Sequence, residues 1–485
     1  MGKQNLTLLT DFYELTMMQG YYNNNNNDIV IFDAFYRENP CGSGYAICAG
    51  LEQVIEYIKD LHFSNDDIEY LRSLTIFEEG FLSYLKNFHF TGDIYAIPEG
   101  TVVFPMEPLV KVIAPIMEAQ LVETALLNII NHQSLIATKA SRVVYAAKGE
   151  PVMEFGLRRA QGPDAGTLGS RAAVIGGCIG TSNVLSAKLF DLPALGTHAH
   201  SWIMSFDDEL TAFRQYANLY PLNTTFLVDT YDTLRSGVPN AIKVFEELRV
   251  VGKMPVKYGI RLDSGDLAYL SKKSRKMMDA AGFTDASITA SSDLDEYLID
   301  SLKTQGAKID SWGVGTKLIT SRDCPSFGGV YKLAAIHRGN QFIPKIKLSE
   351  NQWKITNPGD KKIVRIYEKE SGKVKADLIT LAEEKFSSKD PLLLFDPVST
   401  WKKTYLEPDS YTLRELLIPI FVKGECVYTS PSVMDIRDYC TKEQDTLWDE
   451  ARRLINPHNV YIDLSAKLYR MKEDLLDSFA AKITF

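Results

Sequence analysis

Val256-Lys257-Tyr258-Gly259-Ile260-Arg261-Leu262-Asp263, followed by Ser264-Gly265-Asp266-Leu267, is the stretch that decides the fold. Its first half is a short apolar run that ends on a cation and an acid. A Ser-Gly turn follows, and Asp266 stands where a helix over residues 266–281 needs its N-cap. Strand, polar end, turn and capped helix form the repeating unit of a parallel sheet or barrel, and the unit recurs on both sides. Upstream, residues 152–155 predict a strand, with helices over 170–179 and after Thr181. Residues 194–198 predict the next strand, and 207–216 a helix with Asp207 and Asp208 at its start. Residues 224–229 predict another strand, ahead of a helix over 240–249. Downstream, strand 287–290 leads into helix 294–305, strand 311–314 follows, and 331–336 is expected to close the run.

The strand ends carry the chemistry. In order they hold Phe155 with Arg158 and Arg159; Thr197 with His200; Asp229; Arg261 with Asp263; Ser291, Ser292 and Asp293; and Gly313, Gly315 and Thr316. One polar strand end is ordinary loop polarity. Six in register, on strands with apolar bodies, mark one mouth, because a β/α barrel turns all its C-terminal strand ends to the same side. Gly313-Val314-Gly315-Thr316 offers backbone N–H groups and a hydroxyl, a common phosphate cradle. Arg158, Arg159 and Arg261 can each grip a phosphate or carboxylate with two N–H groups; surface ion pairs are the plainer reading of the first two. Asp263 and Asp266 flank the Ser-Gly turn, one to hold a magnesium–phosphate or a sugar hydroxyl, the other to cap the helix. Phe155 can stack on a flat ring or simply fill core. Gly196-Thr197-His198-Ala199-His200-Ser201 places two of seven histidines between a strand end and a helix start. A histidine there can be nucleophile, base or metal ligand, or merely a satisfied loop residue. The residues read as an enzyme of α/β barrel type that binds phosphates, a further anion and an aromatic ring.

The rest of the chain frames this segment. Residues 1–140 read as the N-terminal part of an α+β domain, 141–340 as the barrel with the active site, and 341–485 as a C-terminal part packing with the first. A short helix capped by Thr10 or Asp11, an exposed Asn23–Asn27 tract, a strand over 29–36 and a long helix over 118–147 are expected early. Beyond 340 come a Lys-rich stretch broken by Pro358-Gly359, strand-like runs at 375–382 and 415–428, and a charged helical end. The net charge of −9 argues against a nucleic-acid surface. The six scattered cysteines contain no C-x-x-C pair, so neither a zinc cluster nor a disulfide framework is expected. The N-terminus has no signal-peptide core, Leu6 stands where a myristoylation signal wants Ser or Thr, and no apolar run would span a bilayer. These point to the cytoplasm and away from membranes.

Leu9-Thr10-Asp11-Phe12-Tyr13, Glu154-Phe155-Gly156-Leu157-Arg158-Arg159, Gly196-Thr197-His198-Ala199-His200-Ser201, Arg261-Leu262-Asp263-Ser264-Gly265-Asp266-Leu267, Gly313-Val314-Gly315-Thr316 and Gly328-Gly329-Val330-Tyr331-Lys332-Leu333 together resemble the signatures of the nicotinate phosphoribosyltransferase family, in the family's order. The resemblance implies an irregular α/β barrel plus a sandwich-like α+β domain built from both ends of the chain. It implies that nicotinate and phosphoribosyl pyrophosphate give nicotinate mononucleotide and pyrophosphate, coupled to ATP hydrolysis, as the first step of NAD salvage from nicotinic acid. It further implies a homodimer with shared active sites, and Mg²⁺ held mainly by substrate phosphates. Position by position, His200 resembles the histidine that ATP phosphorylates, with Asp229 to orient it and His198 in a supporting place. Phe155 would stack on the pyridine ring, and Tyr13 of the second subunit would cover its other face. Thr197 and Arg261 resemble residues that contact nicotinate. Arg158 would hold phosphate, Asp263 would assist at the ribose, and Gly313, Gly315 and Thr316 would bind the 5-phosphate. Ser182, after Gly180-Thr181, stands where the nicotinamide-using relatives carry an acid, and a hydroxyl there can donate to a carboxylate. That favours nicotinate over nicotinamide. A non-catalytic nucleotide-binding barrel is disfavoured because the His and Arg positions are intact. An aldolase-like barrel would need Lys317 or Lys332 as its amine.

Overall fold

The computed structural model describes residues 5–339, 341–351 and 354–483. The first four residues, on which part of the reading of the N-terminus rests, lie outside these. By its contacts the chain divides into two units: Met1–Leu135 with Ser326–Pro431 and Asp438–Phe485, and Ile136–Pro325 with Ser432–Arg437.

In the first unit, Ile29–Tyr36 is a central strand, buried along nearly its whole length. Val110–Pro115 flanks it on one side and Gly329–Arg338 on the other, both antiparallel. Together with Gln341–Pro344, Asp93–Ala96, Ile418–Val422 and Glu425–Cys426 they make a seven-stranded sheet. The 331–336 stretch, expected to close the barrel, is therefore a strand of this other sheet. A four-stranded sheet joins Tyr411–Glu415, Lys361–Glu368, Val374–Leu381 and Tyr461–Leu464. The Lys361–Glu368 and Tyr461–Leu464 strands were not expected. The charged residues that mask the first are paired inside the unit: Arg365 is fully buried and binds Asp377 through Nε and Nη2.

In the second unit, five parallel strands run in the order Val152–Glu154, Ser311–Val314, Ser287–Ala290, Lys257–Leu262, Asn223–Leu227. Ile260, Ile288, Phe226, Trp312 and Val314 are all buried, so the strand bodies form the core and the strand ends are left for chemistry. Asp266, Asp208 and Asp295 each accept an N–H from the first turn of the helix they start. Lys139 and Arg142 both bind the fully buried Glu296, fixing the helix Glu296–Thr304 against the sheet's surroundings.

Single bridges, Glu154 to Thr181 and Thr181 to Ala194, continue the sheet beyond Val152–Glu154. No ladder among the described residues joins residues 194–198 to Asn223–Leu227, so the sheet is open and the expected closed barrel is not seen. The expected 194–198 strand reduces to that one bridge. On the side of Asn223–Leu227, Leu227 N–H donates to the His198 ring at 3.2 Å instead of to a main-chain carbonyl. The helix expected at 170–179 is Pro163–Ile175. Pro163 suits its first turn, and it stops before Gly176, where a Cβ would sit 2.3 Å from the Ala137 carbonyl oxygen. No helix among the described residues is long and apolar enough to cross a membrane.

Candidate active site

Arg261, next to last on its strand, is the hub of the mouth. Its Nε donates to Ser291 Oγ (2.8 Å), its Nη1 to Thr197 Oγ1 (2.8 Å) and its Nη2 to Asp263 Oδ1 (3.0 Å). The Ser291 hydroxyl donates in turn to Asp263 Oδ1. Two strand ends and the 194–198 segment thus meet on one guanidinium, whose planar fork fixes all their directions. Burial pushes the Asp263 carboxyl up, but the Ser291 hydroxyl and Arg261 outweigh it and hold the group below the usual carboxylate range. Asp263 is therefore ionised at neutral pH. Its other oxygen, Oδ2, lies 3.7 Å from His200 Nε2.

His200 opens the short helix His200–Met204, and its Nδ1 is 3.0 Å from Thr230 Oγ1. Asp229, expected to orient this imidazole, does not touch it. The strand ends at Leu227, two residues before Asp229, and the Asp229 side chain turns to the neighbouring loop. There Oδ2 accepts the Asp263 N–H and the Ser264 hydroxyl, both at 2.7 Å. Asp229 Oδ1 is buried with no partner among the described residues. His198 is held differently from His200. It accepts Leu227 N–H at Nε2, sits edge-on to Tyr216 at 4.6 Å, and its pKa is pushed down to about 4, first by burial and further by Arg261 and His200. It is a neutral, structural imidazole.

Phe155 follows the strand Val152–Glu154, and its N–H donates to Val314 O (2.8 Å). Its ring lies on Gly313, where a Cβ would come within 2.5 Å of Phe155 Cδ2. Gly313, expected to bind phosphate, instead seats that ring, and its main chain is paired in the sheet with Met153. Gly315 and Thr316 begin the short helix Thr316–Ile319, whose first N–H groups lack intrahelical partners. Arg158 and Arg159 lie on the 3-10 turn Leu157–Arg159, exposed and without an ion pair among the described residues. Ser182 gives its N–H to Glu154 O (2.9 Å), and nothing among the described residues bonds its hydroxyl. Lys317 is tied to Asp295 at 2.5 Å, which removes it as a free amine. Tyr13 belongs to the first unit, on the helix Phe12–Asn23, and is 46% exposed.

Three residues of the site were not foreseen. Ser291 stood among the strand ends but had no role assigned. Thr230 is a plain hydroxyl after an acid that drew attention. Glu154, next to Phe155, is a fully buried carboxylate. A charged residue closing an apolar run was the one signal available for it.

Three family descriptions match the chain: the nicotinate phosphoribosyltransferase N-terminal domain over residues 8–131, the nicotinate phosphoribosyltransferase family over 151–337, and the C-terminal domain over 360–472. The chain is 45% identical to the nicotinate phosphoribosyltransferase of Bacillus subtilis over 480 residues, covering 99% of this chain and 97% of that one. It is 31% identical to the Homo sapiens nicotinate phosphoribosyltransferase, with 96% of each chain covered. The crystal structure of human nicotinic acid phosphoribosyltransferase superposes with a TM-score of 0.84 at 29% identity, over 96% of this chain and 99% of that chain. By sequence along its whole length and by fold, this chain belongs to the nicotinate phosphoribosyltransferase family.

Proposed function

We propose that the chain joins nicotinate to phosphoribosyl pyrophosphate, giving nicotinate mononucleotide and pyrophosphate, in NAD synthesis from nicotinic acid. One observation carries this reading: the Thr197–Arg261–Asp263–Ser291 network beside His200, within a sheet that also presents a half-buried Phe155 ring and the Ser182 hydroxyl. The pyridine nitrogen attacks the ribose C1 as the C1–oxygen bond to pyrophosphate breaks. Positive charge builds on the ribose, and the ionised Asp263 stabilises it. Phe155 stacks on the pyridine, and Ser182 and Arg261 take the carboxylate. Arg158, Gly315 and Thr316 hold phosphates, Arg158 by virtue of being an unpaired cation at the mouth. The unbonded Ser182 hydroxyl supports nicotinate over nicotinamide, since a carboxylate accepts its proton.

ATP coupling through His200 is part of this reading. In the tautomer whose Nδ1–H donates to Thr230 Oγ1, His200 keeps its lone pair on Nε2. That nitrogen takes the γ-phosphoryl group as ADP leaves. The donor set fits Mg²⁺ carried in on phosphates: Asp229 Oδ1, buried and unpartnered, and Asp263 Oδ2 are the protein oxygens that would help hold it. Held there, it would supply positive charge opposite the departing pyrophosphate. We read the second unit as an irregular barrel whose last seam is spanned by the His198 ring. We read the chain as a cytoplasmic homodimer with shared sites. The six cysteines, none in a disulfide among the described residues, fit a reducing compartment, and exposed Phe12, Tyr13, Val184, Leu185 and Leu189 are apolar surface for a second copy to cover.

The test is mononucleotide formation from phosphoribosyl pyrophosphate with nicotinate or nicotinamide, each with and without Mg-ATP. Nicotinate-selective product, raised by ATP with matching hydrolysis, is expected. Product with nicotinamide alone would overturn the Ser182 assignment. ATP stimulation that survives His200→Ala would remove the phosphohistidine.

A further inference from the structure

We propose that Glu154 is the positioning residue of the base site, setting the spacing between the Phe155 ring and the Ser182 hydroxyl; this rests on the reading that those two groups receive nicotinate. Glu154 is 0% exposed. One carboxylate oxygen, Oε1, accepts the Gly156 N–H. The other, Oε2, accepts the Ser170 hydroxyl at 2.9 Å and the Thr181 hydroxyl at 2.5 Å. The main chain of the same residue continues the pattern: its N–H donates to Gly180 O (3.0 Å), and its carbonyl accepts the Ser182 N–H (2.9 Å).

Three segments therefore converge on one side chain: the turn that carries Phe155, the helix Pro163–Ile175 that carries Ser170, and residues 180–182. Phe155 lies in the chain between Glu154 and Gly156, whose N–H the Glu154 side chain binds. Ser182 directly follows the bonded Thr181. The carboxylate thus anchors the residue next to each of them, Gly156 after Phe155 and Thr181 before Ser182. No cation among the described residues pairs with Glu154, so hydrogen-bond donors alone satisfy it. Burial pushes its carboxyl up while Thr181, Gly156 and Ser170 oppose that shift. A buried carboxylate without a counter-ion is an unfavourable way to fill space, whereas its several acceptor sites let one group fix three segments. The fit leaves no slack: a Cβ on Gly156 would lie 2.5 Å from Ile319 Cβ and 2.9 Å from Glu154 Oε1.

The experiment is steady-state kinetics of the full-length Glu154→Ala, Glu154→Gln, Thr181→Val and Phe155→Ala enzymes, with separate KM values for nicotinate and phosphoribosyl pyrophosphate. Displacing a binding group by about an ångström can cost up to about a hundredfold. Glu154→Ala is expected to raise the nicotinate KM about tenfold or more, and the phosphoribosyl pyrophosphate KM by less than about twofold. Glu154→Gln keeps an acceptor and offers an amide to hydroxyls that can turn to receive it, so most of the loss is recovered. Thr181→Val removes one donor without changing shape. It is expected to raise the nicotinate KM by about threefold, and it serves if Glu154→Ala does not fold. Equal increases in both KM values, or an unchanged nicotinate KM in Thr181→Val and Glu154→Ala alike, would overturn the proposal. Phe155→Ala separates the two levels. If it leaves the nicotinate KM unchanged, the base-site reading fails; if it raises that KM while the Glu154 and Thr181 variants do not, only the positioning role fails.

Discussion

His198 and His200 stand two positions apart and are put to opposite uses. His200 is 40% exposed at its side chain and faces Asp263, while His198 is kept neutral first by burial and further by Arg261 and His200, with Leu227 N–H bound at its Nε2. The difference predicts a pH signature. In the folded chain His198 stays neutral down to about pH 4, whereas an unfolded histidine takes its proton near 6.5. Between those values the unfolded chain binds more protons, so the stability tied to neutral His198 is complete above about pH 6.5 and drains away as pH falls toward 4. His198→Gln removes the titration. Urea unfolding at stepped pH should show the gap between native protein and variant narrowing through that window, and a constant gap would refute the assignment. Ser291→Ala addresses the chemistry. It removes the proton that Asp263 accepts and the oxygen that Arg261 Nε binds, while Arg261 and His200 stay beside the carboxylate. The Asp263 pKa should rise, so the acidic limb of the kcat/KM profile moves to higher pH and kcat/KM falls about tenfold. A variant with reduced activity but an unmoved limb would make Ser291 merely structural. Side-chain types at strand ends were legible in the sequence because chemistry selects them. Partners were not: Asp229 and Thr230 are neighbours, and which of them meets the imidazole depends on where the strand stops.

Strands with apolar bodies and hard polar stops were the legible elements. Ile29–Tyr36, Ser287–Ala290 and Ser311–Val314 have the bounds their sequence predicts, because β-branched and aromatic runs there end abruptly at turns. Residues 194–198 were read as a strand too, yet form only one bridge, and the bond from Leu227 N–H to the His198 ring stands where a ladder bond would be. The Gly313 motif has a second reading for a related reason. A glycine after a strand can free N–H groups for phosphate or make room for a neighbour, and both look alike in sequence. Here the neighbour is the Phe155 ring. Gly313→Ala would place a Cβ 2.5 Å from that ring, so Phe155 must tilt or its strand must move. The expected outcome is a loss of about 1–3 kcal/mol in stability, read from denaturant midpoints. The nicotinate KM should rise with little change for phosphoribosyl pyrophosphate. An increase confined to phosphoribosyl pyrophosphate would restore Gly313 to the phosphate site.

At the scale of the molecule, the βα rhythm was visible but its limits were not. Hydrophobic pattern says that residues 329–338 form a strand, not that the strand lies beside Ile29–Tyr36. Pairing across that much chain is decided by packing partners, which no local pattern encodes. The same limit applies between copies. The helix Phe12–Asn23 carries exposed Phe12, Tyr13 and Met17, and the helix Val184–Phe190 carries exposed Val184, Leu185 and Leu189. The homodimer proposed above would give these side chains a second copy to pack against. If the Tyr13 that covers the pyridine comes from the second copy, two damaged subunits can make one sound site. Tyr13→Ala and His200→Ala each leave every site of their own homodimer defective. In the mixed dimer, one site carries both lesions and the other carries neither. Random assortment then predicts about a quarter of native activity after mixing and refolding equal amounts, from parents that each have little. Activity that stays at the parents' average would place Tyr13 within its own subunit's site or outside any site.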